Sequence, residues 1–175
     1  AAILPWNGQL DAAQYVLRRS SEARTFDWYP LFQYGFLFYH FRKDPATGAQ
    51  WLLQAVPRVK TQQDEWALQN VAALWIEKGY QTANAAGMVE AMAADSPPGA
   101  FRNYLQIRAR RLRDLAALQN AVTLFRERHG RGVENLQNLV SSGLLAELPK
   151  DPLGYGFGLD ASGWPMLNAT PSSTK

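Results

Sequence analysis

The sequence predicts a mainly α protein, an array of helical hairpins (an α-solenoid) closed by a C-terminal cap that contains a short β-hairpin. Three observations carry this reading. Apolar residues recur at helical spacing from Leu10 to Phe125. Turn signals at Lys43–Ala46 and Gly79–Tyr80 stand roughly 34–37 residues apart, the period of paired-helix repeats. After His129-Gly130 the pattern changes to a short helix, a Pro-Lys-Asp-Pro-Leu-Gly turn at 149–154 and a compact Gly/Tyr/Phe segment.

Residues 9–24 read as the first helix, with Asn7 or Asp11 as its cap and Leu10, Ala13, Tyr15, Val16 and Leu17 as its apolar face. The aromatic run 28–43 has strand propensity. It exceeds a usual strand in length, and Leu31, Tyr34, Gly35, Phe38, Tyr39 and Phe41 fit a helix. Asp44-Pro45 opens the third helix, because proline is tolerated where the first-turn N–H would be unpaired. Ala49, Leu52, Leu53 and Val56 form its face, which ends at Pro57. Helices follow over 64–78, stopped near Gly79, and over 82–93, with a clear break at Asp95-Ser96-Pro97-Pro98-Gly99.

A long helix then spans about 100–128, with Tyr104, Leu105, Ile107, Leu112, Leu115, Leu118, Val122 and Phe125 mostly at steps of three and four. Gly130 stops it in the left-handed conformation, leaving His129 at the negative end of the dipole. Asp160-Ala161-Ser162-Gly163 closes a hairpin between 155–159 and 164–167. The predicted organisation is helical repeats over 1–114, a cap over 115–170 and a flexible tail at 171–175.

Six Trp, seven Tyr and eight Phe supply a sizeable core and oppose wholesale disorder. A net charge of +3 is too mild to imply nucleic acid by itself. The absence of cysteine excludes disulfides, zinc–thiolate sites and thiol nucleophiles. No apolar run of about 18 residues marks a membrane span. The start Ala1-Ala2-Ile3 reads as a chain from which a leader, an anchor or a larger upstream region has been removed, so membrane association is expected only through such a region.

Two resemblances add to this. The paired helices over 9–93 resemble degenerate tetratricopeptide repeats. Gly35 stands where that motif has a small residue for close helix contact, Ala49 and Ala83 near the small position of the second helix, and Phe38 and Trp75 at large positions of the first. Gly87 departs from it, lying where a large apolar residue is usual. Residues 115–164 resemble the periplasmic part of bacterial pseudopilins. The match is carried by His129-Gly130, Leu136-Gln137-Asn138-Leu139-Val140, Gly143-Leu144-Leu145 and Pro149-Lys150-Asp151-Pro152-Leu153-Gly154. Val133 replaces the common proline of that pattern, and the apolar assembly helix of a pilin is absent from this chain. The resemblances imply a repeat scaffold of the bacterial periplasm or cell envelope, linked to a secretion or type IV pilus-type apparatus. Because some pseudopilins bind calcium, they also imply Asp151 and Asp160 as candidate ligands, against a simpler role for both in turns.

Residues for chemistry are few. No HExxH, GxxxxGK[ST] or GxSxG is present. Gly154-Tyr155-Gly156-Phe157-Gly158 lacks the flanking strand and helix of a phosphate loop. His40 and His129 read as core-edge and surface residues. The expected function is non-catalytic binding of a protein or peptide, with no cofactor. Trp28, Tyr34, Trp66 and Trp75 are candidate partner-binding aromatics, and Arg108 and Arg111 candidate partner-binding cations. Two other classes compete: nucleic-acid or anionic-membrane binding through the Arg102–Arg113 cluster, and an enzyme with a carboxylate site, for instance Asp64 and Glu65. The enzyme reading is opposed because adjacent helical positions point in different directions. Self-association is compatible with exposed repeat faces, which need caps.

Overall fold

The computed structural model describes residues 5–168. The tail read at 171–175 lies outside them. The described chain is mainly helical, with seven α-helices and a two-stranded antiparallel sheet near its C-terminal end. It divides into two compact units, one ending at Gln81 and one beginning at Thr82.

In the first unit a 3₁₀ turn at Pro5–Asn7 precedes α1 (Leu10–Ala23), α2 (Tyr29–His40), α3 (Pro45–Ala55) and α4 (Gln62–Gly79), and each helix packs on the next. The cap expected for α1 is not made: Gln9 holds the N-cap position with no side-chain hydrogen bond. Ala13 and Leu17, four apart and so on one face, are buried. Tyr15 and Val16, assigned inward from sequence, sit off that face and are 68% and 44% exposed. The aromatic run 28–43 is a helix over most of its length, and it buries Leu31, Gly35 and Leu37.

Asp44 caps α3 by accepting the Thr47 N–H at 3.0 Å, and Pro45 occupies its first turn. Thr61 caps α4, accepting the Asp64 N–H at 3.1 Å, which starts the helix two residues before the expected position. Gly35 and Gly48 let α2 and α3 touch backbone to backbone: a Cβ on Gly35 would lie 2.8 Å from the Gly48 oxygen. Around that contact sit two small cores, Ala13–Leu17–Leu37 and Leu31–Ala55–Leu68.

In the second unit α5 (Thr82–Asp95) packs on α6 (Ala100–His129). Gly130 ends α6 at φ 66°, as its sequence predicts. The short α7 (Gln137–Ser141) and the hairpin of β1 (Phe157–Leu159) and β2 (Pro165–Leu167) complete this unit, with Gly158 opposite Met166 in the register. Leu118, Val122, Phe125, Val133 and Leu139 form its core, and Phe157, Leu159 and Trp164 pack against them.

The sequence boundary at 114 falls inside α6, which runs unbroken from Ala100 to His129. α4 belongs to the first unit and α5 to the second.

Candidate binding cleft

The first unit carries a cleft of about 450 Å³ between two connections, the loop from α1 to α2 and the loop from α3 to α4. Residues 24–28 form one wall. Arg24 closes α1, its N–H donating to the Ser20 carbonyl at 2.9 Å. The chain then turns, and the Asp27 N–H returns to the Arg24 carbonyl at 3.0 Å. The Asp27 carboxylate holds the turn from both sides, accepting the Tyr29 N–H at 3.0 Å and pairing with the Arg24 guanidinium at 3.1 Å. Pro30, in the first turn of α2, sets the helical φ directly after this turn.

The second wall follows from Pro57. A 3₁₀ turn at Val56–Arg58 gives way to extended backbone at Val59, and Lys60 leads into the Thr61 cap. The half-buried Arg58 donates through Nη1 to the Ser21 carbonyl at 3.1 Å and the Asp27 carbonyl at 3.5 Å. It thereby satisfies a carbonyl in the last turn of α1 and ties the walls together. Arg58 also lines a neighbouring cleft of about 240 Å³ with Leu31 and Trp51.

The cleft combines aromatic surface with cations. Phe26 is 68% exposed on the loop, and the half-buried Trp28 stands edge-on to Tyr29 and Phe32, with ring centroids 5.7 and 5.9 Å away. Arg24, Arg58 and Lys60 face two carboxylates, Asp27 and Asp64. Both acids are occupied locally, Asp27 as above and Asp64 by the Thr61 hydroxyl at 2.8 Å.

Of the partner-binding residues expected from sequence, Trp28 alone lines this cleft. Tyr34 packs its ring edge-on against Trp51 at 4.7 Å and Phe38 at 5.4 Å. Trp75 is 7% exposed and stacks on Tyr39 at 4.5 Å, so it is a core residue. Trp66 is 36% exposed on α4. Asp64 reaches the cleft without Glu65, which accepts the Gln69 amide at 3.3 Å, one turn along α4. Phe26, Arg58 and Lys60 escaped the sequence reading. Their signal was a large apolar residue in a polar connection, Arg24-Thr25-Phe26-Asp27, and two cations just after a proline-ended helix.

The arginine cluster of the second unit is largely spent within the chain. Arg102 donates to the Ser96 carbonyl at 2.6 Å and the Ala94 carbonyl at 3.1 Å. Arg108 is buried and donates to the Tyr104 hydroxyl at 2.6 Å. Arg111 is buried and paired through Nε with Asp151 at 2.9 Å, while Nη2 donates to the Asn168 carbonyl at 3.0 Å. Arg113 pairs with Glu90. Neither Arg108 nor Arg111 presents a free cation to a partner, because burial demands that each be matched from within.

The candidate calcium ligands do not suit a cation. The Asp151 oxygens accept Arg111 and the Leu153 and Gly156 N–H groups, at 2.9 and 2.7 Å for the last two. Asp160 Oδ1 accepts the Ser162 N–H and hydroxyl and the Trp164 N–H, at 2.8, 2.6 and 2.9 Å. Those contacts hold its carboxyl below the usual range, first through the Ser162 hydroxyl and then through the Trp164 N–H. Both carboxylates thus shape turns, their oxygens taken up by N–H, hydroxyl and guanidinium donors.

Comparison of the chain with family models, curated proteins and solved structures returns no match.

Proposed function

We propose that this chain is a non-catalytic scaffold that binds a protein or peptide partner, and that the cleft of the first unit is its contact surface. The observation that carries the reading is Phe26, a large apolar ring 68% exposed at the edge of a cleft otherwise lined largely by charge. Aromatic and arginine side chains together are what interfaces enrich, because they bury large area with little loss of freedom and add directional donors. The stepwise packing of α1 through α4 supports a short α-solenoid as the frame that presents it. The resemblance of residues 115–164 to pseudopilins supports a place in the bacterial periplasm or envelope, with a component of a secretion or pilus-type apparatus as the partner.

The test is selection of peptides from a random displayed library against the purified chain, followed by NMR titration of the selected sequence. Shifts confined to residues 24–28 and 58–64, and loss of binding in Phe26→Ala with an unchanged far-UV spectrum, are expected. A selected peptide that shifts other residues instead, or a library that yields no binder, overturns the proposal.

A further inference from the structure

The cleft's charge is unevenly matched, and that imbalance says what it selects. Asp27 is satisfied by Arg24 and by the Tyr29 N–H. Asp64 takes the Thr61 hydroxyl. Arg58, by contrast, has no carboxylate partner among the described residues, and its two contacts are backbone carbonyls that both fall on one nitrogen, Nη1. Lys60 makes no hydrogen bond or ion pair with another described residue. A guanidinium held in place by carbonyls keeps its full charge and its remaining N–H donors, in a fork that fits a carboxylate. Beside it, Phe26 and Trp28 offer apolar surface.

We infer that the cleft recognises an acidic peptide segment, in which an Asp or Glu carboxylate meets Arg58 and Lys60 while an adjacent apolar side chain lies against Phe26 and Trp28. This rests on the reading of the cleft as a peptide-contact surface and narrows it to one chemistry. Of the two acids already in the cleft, Asp27 opposes such a ligand only weakly because Arg24 neutralises it, whereas Asp64 is hydrogen-bonded by a neutral hydroxyl and keeps its charge. They do set the register: a carboxylate is accepted on the Arg58–Lys60 side and disfavoured on the Asp64 side.

The experiment uses the full chain and two blocked peptides of the same length, Gly-Glu-Phe-Glu-Gly and its amide counterpart Gly-Gln-Phe-Gln-Gly, titrated by NMR at low and high salt. The acidic peptide is expected to bind about tenfold more tightly, as a charge-assisted hydrogen bond exceeds a neutral one by that order. Its advantage shrinks as salt screens the exposed Lys60. Lys60→Gln lowers its affinity about threefold without touching the fold, since Lys60 is exposed. Arg58→Gln lowers it further, with the Ser21 and Asp27 amide signals reporting whether the walls stay joined.

Equal binding of both peptides at residues 24–28 and 58–64 overturns the acidic preference and leaves the peptide-contact reading standing. Binding of neither overturns the inference and counts against that reading too. Tight binding of the acidic peptide that is indifferent to Lys60→Gln and to salt also refutes it.

Discussion

Replacing Asp151 by Ala tests whether the Asp-Pro-Leu-Gly turn is pinned to α6 by a buried ion pair. The Asp151 side chain is 1% exposed and that of Arg111 10% exposed, at 2.9 Å. Removal takes the acceptor from Arg111 Nε and from the Leu153 and Gly156 N–H groups. Breaking a buried pair from one side costs about 3–5 kcal/mol, because the remaining charge stays buried. The Leu153 and Gly156 N–H groups are half-buried, so orphaning each costs at most about 1–3 kcal/mol, the cost for a buried group. These losses share one carboxylate and do not add.

Arg111 retains the Asn168 carbonyl and the face of Tyr155, 5.3 Å from the ring centroid, so about 4 kcal/mol is expected. Urea unfolding of fluorotryptophan-labelled protein, followed by fluorine NMR, isolates the effect, since Trp164 is the sole tryptophan from Thr82 onward. Its transition should move to lower urea with an unchanged slope. The double variant Arg111→Met/Asp151→Ala should recover part of the loss, as no buried charge is then stranded. A loss below about 1 kcal/mol, typical of surface pairs, or strict additivity in the double variant would refute the argument.

Other perturbations follow from local geometry. Gly35→Ala would place a Cβ 2.7 Å from Leu52 Cδ1 and 2.8 Å from the Gly48 oxygen, and should cost about 2 kcal/mol or more in thermal unfolding, because the backbone cannot yield as a side chain would. Gly130→Ala, at φ 66°, should cost about 1 kcal/mol by the same measurement. The Asp44 carboxyl is held below its ordinary value by the Thr47 hydroxyl and then the Thr47 N–H. Its folded pKa is lower than its unfolded one, so its contribution is present above the ordinary aspartate range and is lost as pH falls through the folded value. Asp44→Asn keeps a capping oxygen and should flatten that acid limb in pH-dependent melts. Asp114 lies the other way: burial raises its carboxyl pKa, Arg110 opposes and Asp151 assists, so its contribution is present below the ordinary aspartate value and fades as pH rises through the folded one. Asp114→Asn should then steepen the loss on acidification and stabilise the chain modestly at neutral pH, in the same melts.

The elements were legible because their signals are local. Asp44-Pro45, Gly79, Asp95–Gly99 and His129-Gly130 are punctuation with a single physical meaning each, and the aromatic run 28–43 declared itself a helix by its length. Which face of a helix turns inward was less legible where apolar residues surround it. Tyr15 and Val16 are apolar neighbours of Leu17, and only the position of α2 decides that Leu17 is covered. A turn such as Gly79–Tyr80 fixes where a helix stops and leaves open which neighbour it packs on. The Gly35–Gly48 contact, by contrast, was half visible, since a glycine inside an aromatic helix is costly unless something lies close.

The two concentrations of positive charge differ in what answers them. In the second unit the arginines are dense in sequence because one helix must answer many buried or nearby acceptors: the Ala94 and Ser96 carbonyls, the Tyr104 hydroxyl, Asp151, the Asn168 carbonyl and Glu90. Density there measures internal demand. In the first unit, Arg58 and Lys60 are sparse in sequence, and the hydrogen bonds of Arg58 go to carbonyls, which neutralise nothing. A carbonyl positions a cation without cancelling its charge, whereas a carboxylate does both. In the second unit Asp151 and Glu90 cancel Arg111 and Arg113, while Arg102 is positioned by carbonyls as Arg58 is. Charge left uncancelled beside an exposed aromatic ring, Arg58 and Lys60 beside Phe26, is what the proposed contact surface rests on, and it lies on connections that the helical pattern passes over.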